Sequence, residues 1–217
     1  MTAEAVETAP AKSALPVLGL AALGIVHPKL VKRNAAARPG DVLILGKPLG
    51  VGVLSAALKK ERLDAAGYAA MIAATTKLNR PGADLAQLES VHALTDVTGF
   101  GLLGHTLELS RGAGLTARIR YADLPWLPGV EAFARAGVFT GASGRNWSAY
   151  GADIVLASSL DDMARVLLTD PQTSGGLLVS CAPEAVDDVL AIFRADGFDE
   201  AAVIGEMVDG ASRVEVN

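Results

Sequence analysis

The chain has 217 residues, 51% of them hydrophobic and 20% charged, with a formal net charge of −5 at pH 7. That length, with a mean hydropathy of +0.35, suffices for a substantial core in one large domain or two small ones. Lysine and arginine are scattered apart from Lys29, Lys32, Arg33 and the Lys59-Lys60 pair, so no basic face invites nucleic acid. The one cysteine, Cys181, excludes an internal disulfide framework and a CxxC metal clip, and it reads as a buried structural thiol.

The amino-terminal stretch to about Leu18 reads as a loose tail, and Gly19 to Val26 as a buried strand. The most membrane-like run, Ala14 to Val26, falls short of the roughly 18 apolar residues that argue for a span. Glu4 and Glu7 ahead of it do not suit a secretory signal, so a cytoplasmic location without a membrane partner is expected. Asn34 to Asp41 reads as a connector broken by Pro39-Gly40.

From Val42 the pattern becomes α/β. "DVLILGK" predicts a strand, "VGVLSAALKKERL" (Val51 to Leu63) a helix, and "AAGYAAMIAATTKLN" (Ala65 to Asn79) a second helix. "SVHALTD" predicts a strand ending at Asp96. "FGLLGHTLELSRGAG" predicts a helix with Arg111 in its last turn and Gly112 and Gly114 as stops. "LTARIRY" alternates like a strand, "PGVEAFARAG" is a short helix, and "TGASGRNWSAYGAD" (Thr140 to Asp153) has the polar, glycine-bearing character of a long surface loop. Strand "GLLVSCA", helix "PEAVDDVLAIFRADG" and strands "AAVIGEMV" and "SRVEV" close the chain.

Three stretches carry the chemistry. In "LTDVTGFGLLGH", Asp96 sits where a strand stops and a helix starts; Gly99 and Gly101 permit close backbone approach, and Thr95 and Thr98 can orient the carboxylate. A carboxylate sharing space with phosphates does so by holding Mg²⁺ between them. From spacing alone, Asp96 reads first as a helix cap. "DPQTSGG" (Asp170 to Gly176) sets an acid, an amide and two hydroxyls, Gln172, Thr173 and Ser174 among them, in one turn. It can bond phosphate oxygens, a neighbouring loop or its own backbone. In "LGKPLGVG", Lys47 stands at a strand end before a stiffened turn, without the order of a Walker A loop; a solvated lysine is the alternative. The three histidines have no metal-ligand spacing: His105 belongs to the helix near Asp96, while His27 and His92 read as incidental.

Together and in order, "KPLGVGVL", "TDVTGFGLLGH" and "DPQTSGGLL", joined by "GLAALGIVHPKLVKRNAAARPGD" and "GASGRNWSAYG", resemble the carboxyl-terminal half of selenophosphate synthetase, the selenide, water dikinase. The resemblance runs from about Gly19 to Val216. It implies an α/β (α+β) fold, the carboxyl-terminal domain of the aminoimidazole ribonucleotide synthetase-like architecture, with a mixed sheet flanked by helices. It also implies an enzyme that uses ATP and Mg²⁺ to make selenophosphate from selenide, releasing AMP and phosphate.

On that resemblance Asp96 is a metal ligand, and Lys47, Thr95, Thr98, Gly99, Gly101, Gln172, Thr173 and Ser174 lie near the phosphates. The family's catalytic Cys or selenocysteine and Lys belong to an amino-terminal domain that this chain lacks, so no catalytic residue is expected here and the chain alone should be inactive. Residues 19–41 would be a strand and connector left from that domain, and 42–217 the carboxyl-terminal domain. Gly46 departs from the family, which usually has threonine there. The partners implied are ATP and selenide in the full-length enzyme and a second copy or a full-length homologue. The alternative is a stand-alone noncatalytic binding module.

Overall fold

Strand β1 (Val42–Leu45) sends Leu43 and Leu45 into one apolar cluster and Ile44 into another, and all three are fully buried. An uninterrupted apolar run suits such a strand, covered on both faces. The computed structural model describes residues 24–217. Among them the other strands are β2 (Val91–Asp96), β3 (Thr116–Ile119), β4 (Ile154–Leu156), β5 (Leu177–Cys181), β6 (Ala202–Val208) and β7 (Arg213–Val216). They form one sheet in the order β2-β5-β1-β6-β3-β7-β4. The β3–β7 and β7–β4 pairs are parallel and the others antiparallel, so the sheet is mixed, as expected.

Helices cover both faces. Helix α4 (Gly101–Ala113) buries Leu102, Leu103, Leu107 and Leu109 on the Leu43/Leu45 side. Helices α3 (Pro81–Leu85) and α8 (Val186–Ala195) bury Leu85, Val189 and Phe193 on the Ile44 side. A third cluster unites α1 (Val51–Lys59), α2 (Ala65–Thr76), α5 (Val130–Arg135) and α7 (Asp162–Leu168) through Leu54, Met71, Val130 and Leu167. Each such large side chain contributes on the order of 1.5–3 kcal/mol by leaving water.

Residues 32–217 form one compact unit. The Asn34–Ala36 turn packs against α4, where a Cβ on Gly112 would stand 2.7 Å from Ala35 Cα. Gly112 is therefore a packing glycine inside the helix, not a stop; the stop is Gly114, left-handed at φ 72°. Gly24–Val31 is a separate piece in which His27 caps the single turn Pro28–Leu30, its Nδ1 accepting the Lys29 N–H. Of the strand expected over Gly19 to Val26, only Gly24–Val26 falls among the described residues. These three are exposed and in no regular element. The tail to Leu18 lies outside the described residues.

The loop expected over Thr140 to Asp153 is instead helix α6 (Gly141–Tyr150) followed by a 3₁₀ turn. Ser143, Trp147 and Tyr150 lie at spacings of four and three, and that inward stripe stabilises the helix despite its glycines. Helices α3 and α7 and strand β4 form where no element was assigned. The two helices after β1 end earlier than expected, at Lys59 and Thr76.

Candidate functional site

The three motif stretches converge at one end of the sheet. Strand β2 pairs with β5 so that Asp96 lies opposite Leu177, and the Val97 N–H donates to Gly176 O. One turn further on, the Gln172 N–H donates to Thr98 O. Glycine makes the approach feasible: a Cβ on Gly175 would fall 1.9 Å from Val97 O, and one on Gly176 2.4 Å from Lys47 N. Gly101, at φ +70°, lies against the Thr169 and Asp170 backbone.

The "DPQTSGG" side chains bond the neighbouring loop. Gln172 Oε1 accepts the N–H groups of Gly50 and Val51, each at 3.1 Å, and Asp170 Oδ2 accepts the Val53 N–H and Gln172 Nε2. These donors are the unpaired amino-terminal amides of α1, so an amide and a carboxylate from the chain itself occupy the position a phosphate could take. Asp170 is fully buried and its Oδ1 has no partner. Burial pushes its carboxyl up to about 7, opposed chiefly by the bonds from Val53 and Gln172. Thr173 and Ser174 are exposed at the tip of the turn, with Ser174 at a positive φ of 50°.

Lys47 is neither solvated nor free for a phosphate. It is 3% exposed, and its Nζ donates to three carbonyls: Ala74 (3.2 Å), Lys77 (2.7 Å) and Ser174 (2.6 Å). An ammonium has three hydrogens, so all are committed to tying α2 to the "DPQTSGG" turn. Burial, with Lys77 nearby, lowers its pKa to about 8. The Gly46 departure has its own cause, because a Cβ there would lie 2.5 Å from the buried Phe193 ring.

Asp96 emerges exposed at the end of β2. Its carboxylate has no hydrogen-bond or ion-pair partner among the described residues. The cap reading fails: α4 begins at Gly101 behind Phe100, with no side-chain cap bond, so Asp96 lies four residues before that cap position. Thr95 is half-buried in β2, and Thr98 Oγ1 bonds His105 Nε2 at 3.1 Å instead of reaching Asp96. His105 Nδ1 in turn meets Glu108 Oε2 at 3.0 Å. His92 is not incidental, since its Nδ1 pairs with buried Asp41, which also accepts from Ser180 and the Arg38 amide. Cys181 is buried and its thiol is pushed up to about 12, an inert state for a sulfur nucleophile.

One residue of the site was hidden in the supposed loop. Asn146 Nδ2 donates to Gly99 O (2.9 Å) and Thr169 O (3.0 Å), clamping the Asp96 turn to the end of α7. The 143–147–150 stripe is the signal that could have placed it on a helix. Among the described residues no cluster of three His, Cys, Asp or Glu could enclose a metal ion, so Asp96 offers a single carboxylate ligand. A single carboxylate suits Mg²⁺, which keeps waters and phosphate oxygens as its remaining ligands.

Residues 38–217 match the family described as AIR synthase related protein, C-terminal domain, and the chain belongs to that family. It is similar to the carboxyl-terminal half of selenide, water dikinases. To that of Burkholderia ambifaria (strain MC40-6) it is 79% identical over 201 residues, covering 93% of this chain and 57% of the relative. The chain thus spans little more than half the length of the curated relatives it matches. Among solved structures, E. coli HypE superposes with a TM-score of 0.63 at 21% identity, covering 85% of this chain and 48% of that one. The hydrogenase maturation protein HypE in complex with ATP superposes with a TM-score of 0.57 at 20% identity, covering 85% and 49%. At these identities the structural likeness shows the fold.

Proposed function

We propose that the chain is the carboxyl-terminal part of a cytoplasmic, ATP-dependent selenide, water dikinase, in which Asp96 supplies one ligand to a magnesium ion at the nucleotide phosphates. The reaction is the formation of selenophosphate from selenide, with release of AMP and phosphate. The observation that carries the reading is the unpartnered, exposed Asp96 carboxylate beside turns whose Lys47, Gln172 and Asn146 side chains are already bonded within the chain. Bound magnesium neutralises phosphate charge and orients the triphosphate.

The chain's own residues hold that carboxylate in place. Gly99 and Gly101 expose backbone beside Asp96, and Asn146 and Thr169 fix the turn from behind. Thr95, Thr98, Thr173 and Ser174 border the same end of the sheet, the latter two with exposed hydroxyl-bearing side chains. Lys47 and Gln172 act one step removed, by holding the turns. The nucleophile and remaining metal ligands belong to the part of the relatives that this chain does not span, so the chain alone does not turn over.

The test joins the chain to the remaining portion of a relative and measures selenide-dependent AMP formation across a magnesium titration for the parent and Asp96→Asn. Loss of activity in the variant, partly restored by high magnesium, supports the reading. Parent-like activity at limiting magnesium refutes it.

A further inference from the structure

The turn that follows Asp96 is tied down through its backbone. Thr98 O accepts the amides of Gln172 and Gly101, Gly99 O accepts Asn146 Nδ2, and Phe100 O accepts the Tyr150 hydroxyl at 2.5 Å. One further tie runs through a side chain of the turn itself: Thr98 Oγ1 lies 3.1 Å from His105 Nε2. The other ring nitrogen, Nδ1, lies 3.0 Å from Glu108 Oε2, one turn further along α4.

His105 is 7% exposed, in a helix that otherwise buries mostly leucine. A buried ring with both nitrogens bonded is held in one orientation. An ionised carboxylate accepts and does not donate, so Glu108 places the hydrogen of the neutral imidazole on Nδ1. Nε2 is then an acceptor, and Thr98 gives it the one hydroxyl hydrogen it has. Threonine is branched at Cβ, so fixing its hydroxyl also fixes its methyl and restrains the backbone that carries it. Phe100, 54% exposed, stands beside the imidazole with ring centres 5.7 Å apart. An apolar side chain left in water at that place keeps solvent from competing for the bond beneath it.

We infer that His105 is a positioning residue: through Thr98 it fixes the turn that carries the Asp96 carboxylate, with Glu108 selecting its tautomer and Phe100 shielding the bond. The consequence for catalysis rests on the magnesium role proposed for Asp96; the fixing of the turn is tested without it.

Proton–nitrogen correlation spectra of the chain should show His105 with its hydrogen on Nδ1 and a bare Nε2, and Glu108→Ala should move population to the other tautomer. His105→Leu fills the space without a nitrogen and should shift or broaden the amide signals of Asp96, Val97 and Gly99. His105→Gln, whose Oε1 can take the Thr98 hydrogen, should leave them near their parent positions. In the joined enzyme His105→Leu should raise the KM for magnesium-ATP about tenfold while kcat falls less than about twofold, and His105→Gln should stay within about threefold of the parent. A residue that only filled space would be replaced by leucine without effect on KM. A ring protonated on Nε2, unmoved Asp96 and Gly99 amides in His105→Leu, or a glutamine variant as impaired as the leucine one overturns the assignment. Asp96→Asn in the same titration separates the two readings: if it behaves like the parent, the magnesium role fails, and the spectra alone decide whether His105 holds the turn.

Discussion

Asp170 and Gln172 jointly close the amino terminus of α1, the carboxylate taking the Val53 amide and the side-chain amide taking those of Gly50 and Val51. The Asp170 carboxyl is held up near 7, above its ordinary value of 3.8. The folded chain therefore binds a proton that the unfolded chain releases, and this contribution to stability falls as pH rises from about 4 to about 7. At about 1.4 kcal/mol for each pH unit, the loss is at most ~4 kcal/mol. Asp170→Asn keeps an acceptor for Val53 and should flatten that slope, as urea melts at a series of pH values would register. An unchanged slope in the variant would assign the pH dependence elsewhere.

Lys47 is a structural post between α2 and the "DPQTSGG" turn. Lys47→Met keeps the length of the side chain but leaves three carbonyls without their donor, and it should cost about 2–4 kcal/mol in chemical denaturation. A loss under about 0.5 kcal/mol, the range of an ordinary surface change, would mean that the ammonium is not holding these carbonyls.

Asp96→Ala should leave the melting temperature nearly unchanged, within about 0.5 kcal/mol, because the side chain makes no cap. A cap would cost about 0.5–2 kcal/mol on the same truncation. In the joined enzyme the same change should abolish use of magnesium-ATP. Stability and activity thus respond separately, and a variant that melts early while keeping activity would reverse the assignment.

Asn146→Ala removes both bonds that hold Gly99 and Thr169, and should destabilise the chain by about 1–3 kcal/mol. In the joined enzyme it should raise the KM for magnesium-ATP more than it lowers kcat, because the Asp96 turn is then less fixed. Parent-like KM with reduced stability would confine Asn146 to a packing role.

Gly46→Ala should cost about 1–3 kcal/mol, because the new methyl meets the buried Phe193 ring. Phe193→Leu alone should also destabilise, yet the double variant should lose less than the sum, since the smaller side chain vacates the space. Strict additivity would show that ring and glycine do not compete.

The sequence by itself determined the family, the α/β pattern, most of its elements and the three glycine-bearing stretches in their order, because these rest on local periodicity and contiguous motifs. It could not decide what each polar group in those motifs touches. Lys47 turned inward, Gln172 and Asp170 sealed a helix 121 and 117 residues away in the chain, and Asp96 was left free, since hydrogen-bond partners are assigned by tertiary packing and by which donors burial leaves unpaired. Helix α6 was missed for the related reason that Gly141, Gly144 and Gly151 read locally as a loop. Only contact with α4 and α7, through Tyr150, Trp147 and Asn146, makes the helix the lower-energy state.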